Sequence, residues 1–264
     1  MTAANVSLAR SARIQLGVLR ALVLREVLTR YGRHNIGFLW LFVEPMLFTI
    51  GITTLWTLGG FHRISNLPIV AFALTGYSAV LLWRNMPARC VGAVAPNSAL
   101  MYHRNVRVID IYLARIVLEA IGATMSFALL SMIFISLEWI APPEDPLLLA
   151  AGWALTAWFG ASFALLLGAW SEKSELIEKL WHPAAYILFP LAGAAYLVDS
   201  LPSKFRDVVM WLPMVHCGEM IRDGFFGSKF TAHYDVGYIM SVNIGMLLLA
   251  LALERKVSRE YVVE

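Results

Sequence analysis

Charge is what this sequence has least of. Only 15% of its 264 residues are Asp, Glu, Lys or Arg, while 59% are hydrophobic; a soluble domain carries about 25% charge. The shortage excludes a single soluble globule, because too few ionised side chains exist to coat one. The apolar residues also fall in long runs, and the chain reads as an integral membrane protein. Lysine is scarcer still, with five, at positions 173, 179, 204, 229 and 256. None follows a glycine, so the phosphate loop GxxxxGK[ST] is missing and the chain has no ATPase site of that kind. GxSxG, HExxH and a strand-flanked GxGxxG are missing as well. The two cysteines, Cys90 and Cys217, form no CxxC or His/Cys cluster that would suggest a metal; both read as small apolar residues. The net charge of +3 is modest, and no nucleic-acid partner is expected. A cleavable signal peptide is not visible either. Residues 1–33 hold six arginines and no apolar core, so the N-terminus is expected to be retained.

What is present is six apolar stretches. A helix needs roughly 20 apolar residues to cross the hydrocarbon core. Candidate spans cover 36–58, 67–83, 116–137, 147–170, 181–198 and 234–253. The first carries only Glu44, the third only Glu119, and the fifth is interrupted by Pro183 and Pro190. Glu44 is expected to pair with an arginine or a backbone donor, and Glu119 with Arg115 at i, i+4 spacing. Six spans put both termini on one side, and 16 of the 21 Lys and Arg residues then share that side. Cytoplasmic loops carry the basic excess, so both termini are predicted to be cytoplasmic.

The organisation is a cytoplasmic amphipathic interface segment, 1–34, followed by a transmembrane domain, 35–264. In the first, Leu16, Leu19, Val23 and Val27 form an apolar face among recurring arginines. On the external side, 203–227 reads as two short helices, with Ser203 as N-cap of the first and Pro213 as its stop. They form either a re-entrant hairpin, tolerable where protein or water covers its backbone, or a pair lying on the surface. Between the second and third spans, 99–107 mixes aromatic and basic residues on a short helix, which suits either docking to a partner or a headgroup layer.

The wording of the first span carries a resemblance. Arg30-Tyr31, Ile36-Gly37, Trp40 and Pro45 resemble the start of the first span in ABC-2 exporter permeases, most closely the capsular polysaccharide exporters of the KpsM type. Leu212-Pro213-Met214, with Glu219 and Arg222 following, is similar to that family's second motif, Asn-Pro-Leu before Glu-x-x-Arg, with Leu212 replacing the Asn. The resemblance implies an all-α membrane fold of six transmembrane helices with an N-terminal interface helix and an external helical hairpin. It implies two copies of the chain, a dimer of ABC ATPase subunits that binds the ATP and magnesium, a periplasmic polysaccharide co-polymerase, an outer-membrane export protein and a lipid-linked anionic glycan as substrate. This chain would bind no cofactor.

Site residues follow. ATPase coupling falls to Leu100, Met101, Tyr102, His103, Arg104, Asn105 and Arg107. Arg30 and Arg33 stand at the cytoplasmic mouth, where arginine's fork suits oxyanions. The channel lining is drawn from Trp40, Phe42, Glu44, Phe48, Tyr77, Tyr186, Phe189 and Tyr196, and the external gate from Pro213, Glu219 and Arg222. Two other functions stay open: export of a small amphiphile or lipo-oligosaccharide, and a non-transport accessory of glycolipid synthesis.

Overall fold

The computed structural model describes residues 8–32, 39–60, 63–102 and 106–263. It is almost wholly helical. The long helices are α1 (Leu8–Tyr31), α2 (Trp40–Leu58), α3 (Ile69–Cys90), α4 (Val108–Ser136), α5 (Pro146–Ser171), α6 (Glu175–Leu191) and α9 (Val236–Val263); α7 (Ser203–Val209) and α8 (Pro213–Phe226) lie between α6 and α9. A two-residue hairpin, Arg63–Ile64 against Leu67–Pro68, joins α2 to α3. Among the described residues, five helices are long and apolar enough to cross a membrane: α2, α3, α4, α5 and α9.

Burial orders these helices. α3 is the central one, enclosed over most of its length from Ile69 to Cys90. α5 lies directly against it because Gly160 and Gly168 present no side chain there. A Cβ on Gly160 would stand 2.8 Å from the Trp83 Cα, and one on Gly168 3.2 Å from the Cys90 Cβ. Close backbone approach through small residues is how membrane helices pack where lipid supplies no hydrophobic drive. Both cysteines are free and fully buried, as small apolar residues are. α2 and α9 sit outside and stay mostly exposed. Along α2, the Thr53 and Thr57 hydroxyls donate to the carbonyls of Thr49 and Thr53, four residues back, which hides polar groups on an apolar helix.

Several expected boundaries move. The second span does not stop at Trp83 but continues as helix to Cys90, carrying Arg84 and Arg89 inside α3. The fifth begins earlier and ends earlier, at Glu175 and Leu191. At roughly 1.5 Å per residue its 17 residues reach about 26 Å, short of a core of about 30 Å. Irregular chain from Ala192 onward, with Gly193 at φ +81°, carries it further. Ser203 is not an N-cap: Pro202 holds that position and no side chain caps the helix. Pro213 does not end α7, which stops at Val209, but opens α8 as its first residue, where its missing N–H is harmless. The helical turn in the loop after α3 spans Ala95–Tyr102 as 3-10 helix, and Arg107 is extended backbone.

On α1, Leu19, Val23 and Val27 of the predicted apolar face are half-buried beside the packed Gln15, Leu22, Glu26 and Arg30, while Leu16 is 66% exposed; Leu24 and Leu28, which lie outside that face, are exposed too.

Candidate functional site

Three constellations account for most of the chemistry. The first lies where the end of α1 meets α3 and α4, on the face that carries both terminal helices. Arg30 is consumed by carboxylates: its Nε lies 3.1 Å from Glu26 and its Nη1 donates to Glu119. Arg89 reaches the same Glu119 oxygen at 3.2 Å, and Arg115 lies 3.2 Å from Glu26. The expected Arg115–Glu119 pair is therefore replaced. Arg115 instead donates to the backbone carbonyl of Arg89 at 2.6 Å, because α1 and α3 offer better partners than its own helix. Gln15 donates to Asp110, and Arg25 donates to Asn97 at 2.7 Å. A helix of 24 residues is thus tied to the bundle by side chains at three levels. Arg33 lies outside the described residues.

The same face carries the loop after α3. Asn97 is buried and donates to Ala93, while Leu100 and Met101 are half-buried and Tyr102 is 92% exposed. His103, Arg104 and Asn105 lie outside the described residues. The Arg107 N–H donates to Asp110 at 2.8 Å, which closes the first turn of α4. Its side chain borders a cleft of about 630 Å³ with Glu254, Arg255 and Arg259.

The second constellation is an aromatic wall built by α2, α3 and α6. Phe48 and Trp56 stand two turns apart on α2 and bracket Tyr77 of α3, with ring centroids 5.9 and 5.5 Å away. Phe189 of α6 closes the group, 5.8 Å from Phe48 and 5.7 Å from Tyr77. Separations of 4.5–7 Å are those of favourable edge and offset ring pairs. Arg84 lies over Tyr186 at 5.3 Å and over Phe189 at 5.6 Å. The wall is open on one side, since Tyr186 is 71% exposed. Of the expected lining residues, Phe48, Tyr77, Tyr186 and Phe189 come together. Trp40 is exposed and Phe42 half-buried near the start of α2, and neither belongs to this ring group. Glu44 is exposed and, among the described residues, has no ion pair or hydrogen-bond donor, contrary to expectation. Trp56 and Arg84 complete the wall.

The third constellation fastens α8. Arg222 is 2% exposed. It donates from Nη1 to the Tyr196 carbonyl and from Nη2 to the Ala194 carbonyl, both at 3.0 Å. The guanidinium lies 3.9 Å over the Phe72 ring, and Gly76 leaves room for it: a Cβ there would meet Nη2 at 2.6 Å. Tyr196 therefore acts through its carbonyl, while its hydroxyl donates to Leu191. Glu219, 1% exposed, stands 3.9 Å from Arg222, accepts from the His233 N–H at 3.1 Å and leaves Oε1 without a partner. His216 bridges the hairpin to α9: its Nδ1 accepts from the Asp235 N–H at 3.0 Å, and Nε2 lies 2.7 Å from the Met210 carbonyl. Pro213 supplies the start of α8 and touches none of this network directly.

The chain is also similar in sequence to known proteins. The pattern of the ABC-2 type transporter family matches residues 17–226. The capsule polysaccharide export inner-membrane protein CtrC of Neisseria meningitidis serogroup B is 42% identical over 249 residues, covering 94% of each chain. BexB of Haemophilus influenzae, with the same description, is 37% identical over 95% of this chain and 94% of its own. The polysialic acid transport protein KpsM of Escherichia coli is 26% identical over 92% of this chain and 94% of its own.

Proposed function

Since the chain belongs to the ABC-2 type transporter family, we propose that it is the membrane-spanning permease subunit of an ATP-driven exporter of capsular polysaccharide in a bacterial inner membrane. The observation that carries this reading is the full-length similarity to inner-membrane capsule export proteins, 42% identity across 94% of both chains. The aromatic wall supports it, because sugar rings stack on aromatic faces and bring hydroxyls that need no deep polar pocket.

In this reading α6 and the irregular chain after it make the sixth crossing. α6 starts beside Gly92, where Glu178 sits at the end of α3, and the chain beyond it reaches Arg222. Both termini are cytoplasmic, as the basic excess requires, and α7 and α8 form a hairpin re-entering the outer leaflet. Two copies of the chain enclose the path. The partner ATPase binds ATP and magnesium and docks on Leu100, Met101, Tyr102 and the segment through Arg107. Arg30 holds the cytoplasmic mouth together through Glu26 and Glu119, and contact with an incoming lipid-linked headgroup falls to Arg33. Pro213, Glu219 and Arg222 keep the outer end closed. A periplasmic co-polymerase and an outer-membrane export protein continue the route.

The test is complementation of an encapsulated strain that lacks its own permease, with capsule measured on the surface and inside the cell. Surface capsule returns if the reading holds. Intracellular accumulation despite normal permease abundance, with the cognate ATPase present, overturns it.

A further inference from the structure

The arginines of α3 and α4 do not share one fate. Arg89 lies 3.2 Å from Glu119 and Arg115 lies 3.2 Å from Glu26. Arg84 has no carboxylate within ion-pair distance among the described residues, and its buried Nε makes no hydrogen bond. Its company is the two rings of Tyr186 and Phe189. An ionised side chain inside a membrane helix is costly and is found facing a partner, a water-filled space or a substrate path. Rings on one face of a guanidinium leave its edge, where the donors are, unspent. Tyr77 lies two turns away on the same helix, so the cation and the wall share one face. Tyr186 at 71% exposure leaves that face accessible.

We infer that Arg84 is the anion-reading residue of the aromatic path: its guanidinium binds the carboxylate or phosphate oxygens of the translocated glycan while the neighbouring rings take the sugar faces. This rests on the export reading above and adds the residue that distinguishes an anionic chain from a neutral one. Arginine fits the task because its planar fork presents paired donors to an oxyanion, whereas lysine offers a point charge.

The experiment uses the full chain in nanodiscs of neutral phosphatidylcholine, as wild type, Arg84→Gln and Arg84→Lys, each required to elute as a single folded species. Each is titrated with a sialic acid oligosaccharide and with the same oligosaccharide after reduction of its carboxyl groups to alcohols, read by tryptophan fluorescence. The wild type should bind the charged form about tenfold tighter or more, the scale of one charge-assisted fork. Arg84→Gln should lose that ratio while still binding the reduced form, and Arg84→Lys should keep only part of it. A wild-type ratio in Arg84→Gln overturns the assignment of Arg84 alone. Failure of the wild type to bind either form overturns the glycan-export reading and this inference with it. A parallel series in phosphatidylglycerol nanodiscs addresses the other source of oxyanions. If that lipid abolishes the wild-type preference and co-purifies less with Arg84→Gln, a lipid headgroup occupies the site and the inference falls.

Discussion

Removing the Arg222 guanidinium should cost much more than neutralising the Glu219 carboxylate beside it. The substitution is Arg222→Met, which keeps the length of the stem and leaves little cavity. Two charge-assisted hydrogen bonds to the Ala194 and Tyr196 carbonyls disappear, each of the class worth about 1.5–3 kcal/mol. The carbonyls lose their donors, and Glu219 is left without its counter-charge; relief from the desolvation of a buried cation offsets part of this. Loss of one partner of a buried charged network costs about 3–5 kcal/mol. At roughly 2–4 °C per kcal/mol for a chain of this size, the melting temperature should fall by about 10 °C. In Glu219→Gln the amide oxygen still accepts from the His233 N–H. Only the ion pair goes, and it spans 3.9 Å to an oxygen with no hydrogen bond. The cost of this variant should stay near about 1 kcal/mol. The assay is thermal unfolding of both variants in the same detergent, followed by disappearance of the monodisperse peak. Equal destabilisation of the two variants would refute the reasoning and make the ion pair, not the carbonyl grip, the element that holds the hairpin.

Tyr102→Ala should weaken ATPase capture by roughly 2 kcal/mol, near thirtyfold, as removal of an interface anchor does, with permease abundance unchanged; undiminished pull-down would move the docking site elsewhere. Glu119→Ala should free Arg89 and leave Arg30 only its Glu26 partner, and should loosen α1 by about 2–3 kcal/mol, below the figure for losing a sole buried partner because Glu26 still holds Arg30. Protease cleavage within α1 should then quicken, and an unchanged rate would show that apolar packing alone seats the helix.

The apolar helices are legible in the sequence because an uncharged run of the right length leaves few alternatives. α5 therefore lies within a residue of where hydropathy puts it, while α4 starts eight residues earlier than its predicted span and α9 runs ten residues past the end of its own. Span ends are less legible, because hydropathy stops at the first charge while hydrogen bonding does not. That is why hydropathy leaves Arg84 in a loop although α3 carries it inside the bundle. The lining is partly legible. Phe48, Tyr77 and Phe189 can be named as in-span aromatics, but their convergence depends on three helices from distant parts of the chain. Local spacing misleads at Arg115 and Glu119, whose i, i+4 relation is outcompeted by Arg30, Arg89 and Glu26. The role of Tyr196 is hidden as well, since its backbone carbonyl, not its ring, meets Arg222.

The grip of Arg222 on the chain after α6 makes the hairpin and that crossing a single mechanical piece. α6 loses helical order at Leu191, and a strand of irregular backbone would ordinarily act as a slack tether. Here two of its carbonyls are seized by one side chain of α8, so the slack is taken up. Any outward tilt of α8 must drag the far end of α6, and with it Phe189 and the ring stack against Tyr77 and Phe48. The near end of α6 abuts Gly92 through Glu178, beside the loop that carries Tyr102. A push on that loop and an opening at the opposite face are thus joined through α6, and widening the outer end means rearranging the aromatic wall in the same stroke.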